Sequence, residues 1–211
     1  MLWGNWANAD AAKAAISAVR NPSNFNWTFI FILAAVVILY VFEIDKKDWR
    51  PIAAALALYA VHWLYEIMNA VICHIWGYAL WTVSPQSTSF ILLIGVSWEL
   101  SMMFAIAGFT SKLLPKDPKM KLLGINNRVI FAIGSAALFS CIEIFLAWTP
   151  AFIWVYPWWG AIPVFITTYI PFFLASYLIH DAKPKTQKLF IGGLFGLDLL
   201  LLLVLIPLGI I

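Results

Sequence analysis

Residues 62–74 read HWLYEIMNAVICH. His62, Glu66, Asn69 and Cys73 are spaced by four, three and four residues, so a helix places them on one face. His74 falls on another face. An acid one turn from a histidine can hold and pass a proton. Three further acids stand in apolar runs: Glu99 in SWELS, Glu143 in CIEIF and Asp198 in GLDLL. No Lys or Arg lies in the interior of those runs, which leaves His62 as the group able to supply a cation at that depth. Withdrawal from water disfavours a charged carboxylate, and a second carboxylate nearby disfavours it further. At least two of the four acids are therefore expected to carry a proton at neutral pH, and a buried neutral acid is a proton donor.

The elements that must position these groups are membrane helices. Of 211 residues, 64% are hydrophobic and 11% charged, against about 25% charged in a soluble domain. Six segments have the length and apolarity of a span: roughly 26–43, 51–75, 87–110, 128–148, 160–179 and 188–210. The expected fold is all-α, a polytopic membrane helix bundle in one domain over 1–211, with a short N-terminal surface helix. Asn8 or Asp10 could cap that helix, and Asn21-Pro22 ends it. The N-terminal residues lack the basic-then-apolar pattern of a signal peptide. At 1.5 Å per residue, Glu66 and Glu143 lie roughly 22 Å from the basic edge, and Glu99 and Asp198 roughly 15–16 Å. Four acids on four helices then share one slab, enough for one polar cavity.

The loops set the orientation. EIDKKDWR, SKLLPKDPKMKLLGINNR and HDAKPKTQK carry three, five and three basic residues, whereas GYALWTVSPQS and WTPAFIWVYPWWG carry none. The positive-inside rule puts the basic loops in the cytoplasm and both termini outside it. Trp3, Trp6, Trp27, Trp76, Trp81, Trp148, Trp154, Trp158 and Trp159 then map to the outer face. Such residues form an aromatic belt, and the prolines of WTPAFIWVYPWWG could bend it into a cap or a docking surface for a partner protein. No basic patch extends beyond short loops, which argues against nucleic acid. Cys73 and Cys141 fit no metal motif and read as free thiols.

Several roles suit intramembrane acids. They can join helices by hydrogen bonds. His62 with Glu66 could share a metal ion with the other acids, although the spacing is not the Glu-x-x-His of di-iron bundles; no metal and no cofactor is expected. Acid and His chains also mark proton-coupled carriers, but no inverted repeat is visible. Finally, acids among aromatic rings suit protonation of an alkene or epoxide, with the rings stabilising the cation. Trp63, Tyr65, Trp98 and Trp148 stand near the acids in sequence.

The order HWLYE, SWELS, CIEIF, then a Pro- and aromatic-rich span, resembles the emopamil-binding, sterol-isomerase-like family. The resemblance implies proton transfer across a sterol-like double bond, with His62, Glu66 and Glu99 as acid–base candidates. The family's Gly-Pro after the second glutamate is absent, since AIAGFT stands there, and the span bearing Asp198 is extra. Transmembrane terpene cyclases are a comparable likeness, pairing a Trp-Glu motif with a late Asp. The reading that follows is an intramembrane isomerase or cyclase acting on an isoprenoid or sterol-like molecule. Glu66 and Glu99 would give and take the proton, His62 would set their protonation, and Asn69, Trp63, Trp98, Glu143 and Asp198 would line the substrate space. The expected partners are membrane lipids and a lipophilic small molecule. The alternatives are a non-catalytic subunit of a larger complex, docking through the outer Trp-rich loops, and a proton-coupled carrier.

Overall fold

Asp48 accepts the Arg50 N–H and opens α3 (Trp49–Trp76), the 28-residue axis of the protein, which ends at Gly77 with a φ of 84°. The computed structural model describes residues 8–149 and 151–211; Trp3 and Trp6 lie outside the described residues. The half of α3 nearer the basic loops is rich in buried alanine, at Ala53, Ala54, Ala55 and Ala57. Small residues let backbones approach closely. Gly108 uses that room, since a Cβ there would lie 2.4 Å from Ala55 Cα. On the other side the Ser176 hydroxyl donates to the Ala54 carbonyl at 3.0 Å.

Around α3 stand α2 (Ile30–Asp45), α4 (Trp98–Ala107), α5 (Asn127–Ala147), α7 (Ile170–Asp181) and α8 (Pro184–Leu205). The short α6 (Ala161–Val164) leads through a π-turn, Phe165–Tyr169, into α7. α3 packs against α2, α4, α7 and α8, and α5 packs against α7. The membrane-level core joins Leu58, Ala132, Ala136, Phe172, Phe173 and Tyr177. Outward-facing residues such as Phe31, Leu138, Phe145, Ile162, Leu189 and Leu203 are exposed, which suits contact with hydrocarbon.

Six spans were expected, and four helices are long and apolar enough to cross a membrane: Trp49–Trp76, Asn127–Ala147, Ala161–Asp181 and Pro184–Leu205. The first expected span becomes α2, of 16 residues. The third, 87–110, is not one helix. Its first half is a hairpin of β2 (Ile91–Leu93) and β3 (Val96–Ser97), and Ser97 then caps the 10-residue α4. An apolar run such as FILLIGV fits a buried strand as well as a helix, and its Gly supplies the turn. A 3-10 turn, Gly108–Leu113, extends α4 to the basic loops.

The bundle has two distinct ends. At one, the basic loops gather, pinned by buried Arg128 gripping Asp181 through Nε and Nη2 at 2.6 and 3.1 Å. Lys112 meets the buried Glu43 carboxylate there, and that hydrogen bond holds its ammonium above the usual lysine range. A small hairpin of β4 (Lys121–Leu122) and β5 (Ile125–Asn126) precedes α5.

The opposite end carries a folded cap. β1 (Trp81–Val83) pairs antiparallel with β6 (Phe152–Trp154), and α1 (Ala9–Ala18) packs beside them. Leu80, Val83, Ile91, Phe152, Val155 and Tyr156 form the cap core with Ala12 and Ala18. Asn8 stands at the α1 N-cap but leaves it uncapped; its side chain donates instead to the Trp154 carbonyl at 3.0 Å. Trp27, Trp76, Trp148 and Trp158 are exposed at this end, whereas Trp81 and Trp154 point inward, as described next.

Candidate functional site

Two acids from two helices converge beneath the cap. Glu66 on α3 and Glu143 on α5 are both buried and line one cavity, with His62, Trp81, Thr168 and Tyr169. Trp81 and Trp154 are direct partners across the β1–β6 pair, so their side chains leave the same face of that sheet. Each reaches a different acid. Trp81 Nε1–H donates to Glu66 at 3.2 and 3.3 Å, and Trp154 Nε1–H donates to Glu143 Oε1 at 2.6 Å. The Tyr169 hydroxyl donates to Glu143 Oε2.

The supporting groups are equally specific. Asn69 donates to the Trp81 carbonyl at 3.0 Å and accepts from Leu80 N–H at 2.8 Å. It thereby fixes the chain that aims the indole at Glu66, one turn below on the same helix face. The β2–β3 hairpin closes the site from above. At its turn, a Cβ on Gly95 would lie 2.3 Å from Trp81 Nε1 and 2.5 Å from Glu66 Oε2. Only a residue without a side chain fits. Trp159 stacks on Trp81 with ring centroids 5.8 Å apart.

Tyr169 is placed by the π-turn. Pro171 lacks an N–H, which frees the Thr167 carbonyl four residues earlier. Tyr65 supplies the missing donor from α3, at 2.8 Å. The result is a widened helical turn that presents Thr168 and Tyr169 to the cavity. Such single π-turns recur at functional sites.

His62 Nδ1 lies 3.8 Å from Glu66 Oε1, and its ring stacks on Phe104 at 4.1 Å. Its Nε2 is buried without a hydrogen-bond partner among the described residues, as are Thr168 Oγ1 and Ser140 Oγ. The enclosed volume is about 40 Å³. That is room for a few waters, well below the several hundred Å³ of a site that engulfs a small molecule. The cavity is nevertheless open sideways. Leu100, Met103 and Phe104 of α4 form one wall, and Phe139, Ile142 and Leu146 of α5 the other. α4 packs on α2 and α3 while α5 packs on α7 and the π-turn, so the cleft lies between them. Its mouth is apolar, with Ile142 exposed.

The expected site residues separate into two groups. His62, Glu66 and Glu143 come together, and Asn69 supports them. Glu99 does not line the cavity. It stands in the first turn of α4, where Oε1 accepts from Ser89 N–H at 2.7 Å and lies 3.4 Å from the Thr28 hydroxyl. Its expected depth rested on a helix over 87–110, and the hairpin moves it to the cap end. Trp98 stacks on Phe29, and Trp63 lies with Ile67 against α8; neither lines the cavity. Asp198 is buried on α8, away from the cavity, and both its oxygens lack a hydrogen-bond partner among the described residues. Trp81, Trp154, Tyr169 and Gly95 were not anticipated as site residues. Only a donor counted against each buried acid could have suggested the two indoles. Among the described residues no three His, Cys, Asp or Glu side chains gather as an ion site would require.

Comparison with known proteins overturns the resemblance drawn from HWLYE and SWELS. The family model that matches, over residues 9–207, is neither emopamil-binding nor terpene cyclase. A protein of Archaeoglobus fulgidus, described as "Uncharacterized protein", is 38% identical over 199 residues, covering 92% of this chain and 94% of its own. No solved structure matches. The chain is thus a helical membrane protein and belongs to the family described as "Uncharacterized membrane protein family".

Proposed function

We propose that this protein performs acid–base chemistry inside the membrane, with Glu66 and Glu143 as the proton donor and acceptor and an isoprenoid-like alkene as substrate. The carrying observation is the convergence of the two buried carboxyls on one cavity that opens between α4 and α5. A molecule dissolved in the bilayer reaches such a cleft without crossing water. The small volume admits only a slender reacting end, so a chain alkene fits where a fused-ring sterol does not. One carboxyl adds a proton to an alkene carbon, and the other removes a proton from the carbon beside the resulting cation. The double bond shifts and one proton has moved from one glutamate to the other. His62, with Nδ1 3.8 Å from Glu66, would exchange a proton with that carboxyl. Phe104, Phe139, Phe172 and Tyr169 surround the cavity and would stabilise the cation through their ring faces. The proposal includes orientation: the basic end faces the cytoplasm, by the positive-inside rule.

A second reading rests on the same hydrogen bonds. Trp81–Glu66 and Trp154–Glu143 fasten the cap to the bundle, and that alone could account for both acids. The test separates the two. The protein in lipid nanodiscs is incubated in D2O with geranylgeraniol and, separately, with total polyprenyl lipid extract. Deuterium incorporated into carbon positions, and lost in Glu66→Gln and in Glu143→Gln, supports the enzyme. No incorporation from either source, with both variants folded but less stable, leaves the fastening role and overturns the proposal.

A further inference from the structure

A second cavity, independent of the acid site, opens at the basic end. It holds about 380 Å³ and is lined by Asp48, Arg50, Ser111, Lys112, Lys116 and Arg128, with His180 and Asp181 completing the wall. Five separate parts of the fold meet there: the start of α3, the 3-10 turn after α4, the loop before α5, the first turn of α5 and the end of α7. Its carboxylates are already engaged. Asp181 is held by Arg128 and His180, and Asp48 caps α3 through the Arg50 N–H. Two cations are held less firmly, Arg50 in one long ion pair with Asp48. Arg50 Nε stands 3.8 Å from Asp48, beyond hydrogen-bond reach, on a side chain that is 67% exposed. Lys116 makes no ion pair among the described residues. Lys112 adds positive charge at the rim, although it is shared with Glu43.

The floor supplies the independent observation. Ser111 is 2% exposed, and its Oγ is buried with no hydrogen-bond partner among the described residues. A buried hydroxyl left without a partner costs stability, and rotation about its one side-chain bond would carry this one from beneath the wall into a polar cavity ringed by cations. The pocket also sits at the level where the spans α3 and α7 meet the basic loops. Basic pockets between membrane helices at this level suit anionic head groups.

We propose that this cavity binds a phosphate-bearing anion, with Arg50 and Lys116 pairing with its charge and Ser111 donating a hydrogen bond to a phosphate oxygen. The phosphate comes either from an anionic lipid head group or from a soluble phosphate, and the experiment distinguishes these sources. The intact protein in mild detergent is titrated with phosphatidylglycerol, with phosphatidylcholine and with inorganic phosphate, and bound adducts are read by native mass spectrometry. Arg50→Gln and Lys116→Gln should each weaken binding, and the double variant should lose more than either alone. Ser111→Ala should weaken it with the ion pairs of the basic end intact. Phosphatidylglycerol adducts that fall in these variants support the proposal with a lipid as source. Inorganic phosphate adducts with the same sensitivity support it with a soluble source. Binding that exceeds phosphatidylcholine with neither probe, or that is unchanged in all three variants, overturns it. Arg50 and Lys116 are exposed, so their replacement leaves the fold in place to be tested.

Discussion

At the scale of single residues, the two buried acids are alike in partner but unequal in support. Among the described residues Glu66 receives hydrogen bonds from Trp81 alone, whereas Glu143 receives them from Trp154 and Tyr169. Removing one donor leaves a buried polar group unsatisfied at a cost of about 1–3 kcal/mol. Trp81→Phe should therefore destabilise the protein by about that amount, and Trp154→Phe by less, because Tyr169 remains. Thermal unfolding in a single detergent compares the two directly, and a larger loss in Trp154→Phe would contradict the assignment. Replacing both partners by apolar groups removes the orphan, so Glu66→Leu should recover much of what Trp81→Phe loses. At this scale the sequence was half informative. The stripe of His62, Glu66 and Asn69 was readable from helical spacing alone, because one helix carries all of it. The indole donors were not, because Trp81 and Trp154 stand 73 residues apart (154 − 81) and only strand pairing brings them together.

At the scale of elements, the hairpin between β2 and β3 decides where the site lies. The segment 87–110 has the hydropathy of a span, and hydropathy cannot tell a buried strand pair from a buried helix. The extra signal was Gly95 within FILLIGVS, one residue before the short β3 and two before the α4 cap at Ser97. With the helix begun at Trp98 rather than at residue 87, Glu99 belongs to the cap end and Glu143 takes its place beside Glu66. Helices whose start and stop signals are strong came through well, as with Asp48 before α3 and Asn126 before α5. Gly95 carries the prediction for this scale. Its Cβ would overlap Trp81, Asn69 and Glu66 at 2.3–2.5 Å, so Gly95→Ala must push the hairpin off the site. Overpacking of this kind costs about 1–3 kcal/mol. Gly134→Ala is the control, since nothing lies within 4 Å of that position on α5, and alanine in a helix interior is worth roughly 0.5–1 kcal/mol over glycine. The expected result is a lower unfolding midpoint for Gly95→Ala and an unchanged or higher one for Gly134→Ala. Equal midpoints would mean that the hairpin does not seal the site.

At the scale of the whole molecule, the asymmetry between the two ends follows from charge and water. The basic loops share one end with their paired acids, while the cap end has exposed tryptophans and folded strands. Positively charged loops are retained on the cytoplasmic side during insertion, so the cap and the roof of the acid site should face outward. Asn8 bonds to Val155 and Arg20 to Ile211, which places both of those contacts with the cap. The orientation can be read with a membrane-impermeant maleimide. Cys73 and Cys141 are free, so they are first replaced by alanine. Gln86→Cys then puts one exposed thiol at the cap end, and Lys119→Cys puts one at the basic end. In intact cells Gln86→Cys should label and Lys119→Cys should not, and permeabilisation should expose the second. The reverse pattern would put the cap in the cytoplasm, against the charge rule, while the lateral cleft would still open to the bilayer between α4 and α5. Labelling at both positions in intact cells would show that the two ends share one side of the membrane. That outcome would remove the basis for an intramembrane site, because α3, with Glu66 near its middle, would then not cross.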